Sequence, residues 1–124
     1  MSFEDHIFDV VLCNHVLEHI PDDHQAIKEL YRVLKPGGWA IIQSPVRPSM
    51  EKTFEDPEAD TPEKRLKAYD QVDHFRTYGR DYKDRLERAG FLVKVDEYVK
   101  ELPEETVKKY NLMLLENIYY CTKP

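Results

Sequence analysis

Two apolar stretches decide the fold: Ile7-Phe8-Asp9-Val10-Val11-Leu12-Cys13 and Trp39-Ala40-Ile41-Ile42-Gln43. Each is nearly unbroken β-branched and apolar sequence, the composition of a strand covered on both faces in a parallel sheet. Between them, after a turn at Pro21, the pair Asp22-Asp23 can cap a helix. Ala26, Ile27, Leu30, Val33 and Leu34 then recur at three- and four-residue spacing, which predicts a helix from about Asp22 to Leu34. Lys35-Pro36-Gly37-Gly38 supplies a cation for the last turn, a helix-stopping proline and glycine for a left-handed exit. Strand, helix and strand with short joints make one right-handed βαβ unit.

Outward from that unit the character changes. Pro45, Pro48, Pro57 and Pro62 punctuate a polar stretch from Pro45 to Asp73, with one short helix predicted from Pro62 to about Tyr69. A connection of this length in a small domain serves as a lid or binding segment. Tyr78, Tyr82, Leu86 and Ala89 mark one face of a helix from Tyr78 to Ala89, and Gly90 caps it. A strand is expected from Phe91 to Tyr98, a short helix from Pro103 to about Lys109, and a last strand from Leu114 to Thr122. The chain divides into the unit 1–44, the insertion 45–73 and the segment 74–124, all within a single domain.

Composition narrows the function classes. With 124 residues, 41% hydrophobic and 34% charged, the chain suits one soluble globular domain. Eighteen Lys and Arg against 24 Asp and Glu give a net charge of -6, which provides no basic footprint for nucleic acid. The longest uncharged apolar run falls far short of the roughly 20 residues that a membrane span requires. Glu4, Asp5, Asp9 and Glu18 in the first twenty residues leave no signal peptide. Cys13 and Cys121 read as reduced, buried thiols of a cytoplasmic protein.

Three segments carry a family resemblance. Phe8 to Asp22, Leu30-Tyr31-Arg32-Val33-Leu34-Lys35-Pro36-Gly37-Gly38-Trp39, and His74-Phe75-Arg76 with Tyr78 and Ala89-Gly90-Phe91 resemble the C-terminal half of a class I S-adenosylmethionine-dependent methyltransferase. The resemblance implies an α/β, three-layer Rossmann-like fold, here truncated to strands 4 to 7 of a seven-stranded sheet, with the last two strands an antiparallel pair. It implies that the last strand inserts between its neighbours, in the order first, second, fourth, third. It also implies methyl transfer from S-adenosyl-L-methionine to a small-molecule acceptor. Cys13, Asn14 and His15, at the end of the first strand, would hold the aminocarboxypropyl part of the cofactor. His15 and His19 are the candidate catalytic residues. Pro45, Arg47, His74, Arg76 and Tyr78 are the candidates for acceptor contact. In open α/β sheets ligands do sit beyond the carboxyl ends of parallel strands.

The family's glycine-rich loop and its ribose-binding acidic residue find no counterpart: Gly37, Gly38, Gly79 and Gly90 are turn or cap glycines and none forms a G-x-G pattern. The chain is therefore expected to begin mid-fold, and a full fold of seven strands and six helices needs roughly 165 residues. Such a chain alone is expected to be inactive, with activity residing in a longer parent. The implied order leaves Ile7 to Cys13 at an edge, a liability that a missing N-terminal half, a second copy of this chain or strand exchange would cover. A noncatalytic binding or dimerisation module built on the same fold is the alternative reading.

One motif competes. His15-Val16-Leu17-Glu18-His19 fits H-x-x-E-H, in which two histidines one helical turn apart bind zinc and a glutamate acts as base. The motif leaves a buried strand and meets Pro21 two residues later, so at most one helical turn fits. Its third ligand would have to be His74, Asp96 or Glu97, with nothing to choose among them. Some quinone-pathway O-methyltransferases of similar sequence use a divalent metal at this loop, where His15, Glu18 and His19 are the matching positions. Packing of Glu18 and His19 against the following helix accounts for them more simply, and no metal ligand is assigned.

Overall fold

The computed structural model describes residues 2–110 and 117–124. Along the chain run β1 (Phe8–Asn14), a single 3-10 turn (Leu17–His19), α1 (Asp23–Val33), β2 (Leu34–Gln43), α2 (Pro62–Tyr69), α3 (Tyr82–Arg88), β3 (Leu92–Asp96), α4 (Tyr98–Glu101), α5 (Glu104–Lys109) and β4 (Ile118–Thr122). The sheet order is β1-β2-β4-β3, with β1 and β2 parallel and β4 antiparallel to both of its neighbours. This is the expected order. The first part of the predicted last strand, from Leu114, lies outside the described residues.

The expected elements hold with shifted edges, and each shift has a local cause. Asp22 caps α1 by accepting from the Gln25 amide at 3.1 Å, but Leu34 leaves the helix extended (φ -74°, ψ 140°) rather than through a glycine. Gly37 and Gly38 instead enter β2, where the Gly37 amide donates to Lys123 O and the Lys123 amide to Gly38 O. Gly37 takes φ +83°, and a Cβ on Gly38 would sit 2.8 Å from Lys35 O and 2.9 Å from Asp9 O. The glycines thus serve the close passage of β2 beside β1, where the register slips between Phe8 and Val10.

Helix α3 starts four residues later than the aromatic spacing suggests. Tyr78 bridges to Val46 in a short parallel contact, and a Cβ on Gly79 would collide with the main chain of Lys52. Gly90 does cap the end, at φ +114°. The predicted strand Phe91 to Tyr98 is shorter, because Tyr98 already begins α4.

One face of the sheet is buried. Cys13, Ala40, Ile42, Tyr119 and Cys121 pack against Ile27 of α1 and Tyr82 and Leu86 of α3 in one cluster with Leu17, Leu34, Tyr78 and Phe91. Tyr82 sits at its centre: its ring meets those of Tyr78 and Tyr119 edge-on at 4.6 and 4.7 Å, and its hydroxyl donates to Ile42 O at 3.0 Å. The opposite face is open among the described residues. There Val10, Leu12 and Leu92 are 42, 64 and 63% exposed. The double-sided cover inferred for β1 is thus absent among the described residues: β1 is an edge strand of a two-layer arrangement with helices on one side. An apolar run read without its neighbours specifies a strand that two faces could bury, not how many faces are covered.

Candidate active site

Because β3 runs parallel to β1 and β2, the carboxyl ends of all three strands and the start of β4 meet at one edge of the sheet. A cleft of about 600 Å³ opens there, lined by His15, Ser44 to Val46, Pro48, Arg80, Lys83, Val95, Glu97, Lys100, Asn117 and Tyr119. Parallel-strand geometry is the reason: side chains and loops leaving these ends converge on space that no strand continues to fill.

His15 reaches the cleft by a backbone device. Its amide still donates to Gln43 O at 2.8 Å, in continuation of the sheet, but its φ of +54° is left-handed and turns the chain out of the strand. The side chain is exposed. A non-glycine residue in this conformation is uncommon and concentrates at functional sites. Cys13 stays in the core, and burial followed by the nearby Glu18 carboxylate pushes its thiol up. Any contact that Cys13 makes beyond the strand end is therefore through its main chain.

Of the residues singled out from the sequence, His15 and Pro45 line the cleft and the others do not. His19 turns the other way, with Nδ1 3.1 Å from Asp73 O and its ring against that of His74. Arg47 extends toward Asp70 at 3.8 Å. Arg76 and Tyr78 are buried anchors: the guanidinium donates to Leu17 O and Ile20 O at 2.6 Å, to Pro21 O at 2.8 Å and to Glu55 at 2.8 Å. The Tyr78 hydroxyl donates to Asp23 at 2.6 Å, and Arg85 reaches the same carboxylate oxygen at 2.8 Å. With their polar atoms spent inside the protein, these two hold the loop after β1 against α1 and the insertion. Burial alone would raise the Asp23 carboxyl, but Tyr78, Arg76 and Arg85 together hold it below the ordinary carboxylate range.

The motif H-x-x-E-H is divided by the fold. His15 lies outside the 3-10 turn, in the cleft, whereas Glu18 is buried and His19 faces the insertion. Two histidines one helical turn apart are not formed, so the hydrolase geometry is absent. Most of the cleft residues, Ser44 and Asn117 among them, escaped the sequence reading. Asn117 Oδ1 and Ser44 Oγ are buried without a hydrogen-bond partner, although the Ser44 hydroxyl is close enough to the Tyr82 phenol to oppose part of its burial-driven rise. Nothing in a strand-ending serine or an isolated asparagine announces such a role. It arises when β2 and β4 are placed side by side.

Residues 1–42 match the sequence model of the family described as Methyltransferase domain. Over 50 residues the chain is 42% identical to a demethylmenaquinone methyltransferase of Bacillus cytotoxicus, which is 40% of this chain and 21% of that protein. Over 37 residues it is 55% identical to a ubiquinone biosynthesis O-methyltransferase of Pseudomonas putida, 30% of this chain and 16% of that one. The matches thus span about a fifth of the length of these relatives. In structure, the whole chain superposes on 57% of a methyltransferase chain from the Haloferax volcanii complex with the Trm112 activator, with TM-score 0.64 at 18% identity. A Mesorhizobium loti S-adenosylmethionine-dependent methyltransferase gives TM-score 0.59 at 17% identity, covering 97% of this chain and 65% of the other. The sequence matches are to methyltransferases, and the structural likeness is to the class I methyltransferase fold. The methyltransferase fold accounts for the sheet order, for the parallel βαβ start and for the cleft at the carboxyl edge. Among the described residues, no helix is long and apolar enough to cross a membrane.

The side chains present suit one side of a cofactor. Asn14 and His15 are exposed polar groups at the strand end, where a left-handed turn leads the chain out of the sheet. None of the four glycines lines the cleft.

Proposed function

We propose that this chain supplies the acceptor side of a site for methyl transfer from S-adenosyl-L-methionine to a small-molecule acceptor. The observation that carries the proposal is the cleft itself: placed at the carboxyl ends of parallel strands, walled in part by Pro45, Val46, Pro48 and Val95, with His15 at the strand end and Arg80, Lys83, Glu97 and Lys100 among its polar lining. Asn14 and the main chain around His15 would hold the aminocarboxypropyl end. The cofactor, when bound, supplies a methyl group on a sulfonium.

Transfer of that group is an in-line displacement, so the chain's task is to fix the acceptor atom and to keep water out. Val46, Pro48 and Val95 provide an apolar wall, and the polar side chains of the lining orient the acceptor's hydroxyl or amine end. His15 Nδ1 or Nε2 takes the acceptor's proton where it has one. His19, His74, Arg76 and Tyr78 support the loop from behind.

Calorimetric titration of the chain with S-adenosylhomocysteine tests this reading. Binding near one to one, weakened about tenfold or more by His15→Ala, is the expected result. Absence of binding would instead favour a noncatalytic module, the reading to which the open sheet face and the free edge of β1 lend support.

A further inference from the structure

We infer that His19, Asp73 and His74 form a binding site for a divalent cation of the zinc class, separate from the cleft. The three come from two segments: His19 ends the 3-10 turn after β1, and Asp73-His74 ends the insertion. One ligand atom from each lies within 4.8 Å of the other two. The His19 and His74 rings meet edge-on with centroids 4.7 Å apart, and His19 Nδ1 lies 3.4 Å from Asp73 Oδ2. Two imidazoles and one carboxylate make a donor set that suits zinc and its neighbours rather than magnesium or calcium.

An independent feature points to the same place. Glu18 is 2% exposed, and neither of its carboxylate oxygens has a hydrogen-bond partner among the described residues. A buried carboxylate left unsatisfied is costly and calls for a reason. Its Oε1 lies 3.7 Å from His19 Nε2. A histidine that ligates a metal through one ring nitrogen commonly donates its other N–H to a carboxylate, which fixes the tautomer and raises the basicity of the ligating nitrogen. With Nδ1 on the ion, Nε2–H of His19 faces Glu18, and the orphaned carboxylate gains its donor.

Ligation requires movement, and the side chains allow it. Donors about 2.0 to 2.1 Å from a tetrahedral ion sit about 3.3 Å apart, so the cluster must contract, and His19 Nδ1 must exchange its contact with Asp73 O for the ion. Asp73 is 63% exposed along its side chain and His19 38%, so rotation of χ angles suffices without repacking the core. Bound there, the ion would clip the turn after β1 to the end of the insertion, next to the Phe75 amide bond to Glu18 O and the Arg76 clamp.

Cobalt(II), whose visible bands report coordination by nitrogen, is the probe, titrated into the untagged full chain. One saturable site is expected. His74→Ala and Asp73→Asn weaken it at least about tenfold, Glu18→Gln weakens it about 10- to 100-fold, and His15→Ala leaves it unchanged. Since His74 lies near the surface, its variant keeps the fold, which circular dichroism verifies. Lack of saturable binding overturns the inference, as does binding that His15→Ala abolishes and His74→Ala does not.

Discussion

Replacing Arg76 tests the central structural claim, that one buried guanidinium sets the position of the loop leaving β1. The side chain is 3% exposed and donates to three main-chain carbonyls in that loop, Leu17, Ile20 and Pro21, as well as to Glu55, with Asp23 3.5 Å from Nε. Removing one partner of a buried ion pair costs about 3 to 5 kcal/mol, because the remaining charge and acceptors lose their compensation. Here the lower end applies. Asp23 keeps the Tyr78 hydroxyl at 2.6 Å and Arg85 at 2.8 Å, while the carbonyls, once the side chain is gone, can take up water. Arg76→Ala is therefore expected to lower the unfolding free energy by about 3 kcal/mol, a large share of the 5 to 15 kcal/mol typical of a domain. Arg76→Lys restores the charge but not the planar fork and is expected to recover only about half of the loss. Urea denaturation read by circular dichroism gives both values. Amide exchange at Phe75, whose N–H donates to Glu18 O at 2.8 Å, reports the loop separately. A cost below about 1 kcal/mol for alanine, or a lysine variant equal to the parent, would refute the clamp.

Three further outcomes follow from the same geometry. Asp23 is held below the ordinary carboxylate range in the folded state, so the stability it contributes is present above an unfolded value of about 3.9 and is lost as pH falls through the lower folded value; urea midpoints below about pH 4 should drop for the parent and flatten for Asp23→Asn. Burial pushes the Cys121 thiol up to about 12 and raises Cys13 as well, so Ellman's reagent near pH 8 should find both thiols slow in the folded protein and two equivalents fast in urea. A Cβ on Gly38 meets two carbonyl oxygens that cannot swing away, whereas Gly37 has open space around it and only its φ of +83° to strain; Gly38→Ala should cost about 1 to 3 kcal/mol and Gly37→Ala about 1 kcal/mol, measured as shifts in urea midpoint.

Much of the fold was legible because the relevant signals are local. The apolar runs at Val10 to Cys13 and Ala40 to Ile42, the capping Asp22, the proline opening α2 at Pro62 and the glycine closing α3 each act within a turn or two of chain, and each lies where expected. The misplaced edges have long-range causes. Tyr78 carries the spacing of a helix yet bonds Asp23, 55 residues away, and that bond together with the Val46 bridge holds it out of α3. The glycine pair after α1 carries the chemistry of a helix stop, but its position is set by the approach of Asp9 O from the neighbouring strand.

The site was legible only where a main-chain event marks it. His15 was found because it follows a strand, and strand ends in α/β sheets face ligands. Spacing alone then grouped His15 with Glu18 and His19, as a helix would. The structure separates them for a reason already present in the sequence: with Pro21 two residues on, the chain completes one 3-10 turn, and the left-handed φ of His15 breaks the path before that turn begins. The side chains of residues 15, 18 and 19 consequently diverge, toward the cleft, the core and the insertion. His19 meets Asp73 and His74, more than fifty residues along the chain, at a junction that no local pattern could specify. The buried Glu18 connects the two halves of the motif: its carboxylate helps to push up the core thiol of Cys13, and its Oε1 lies 3.7 Å from His19 Nε2.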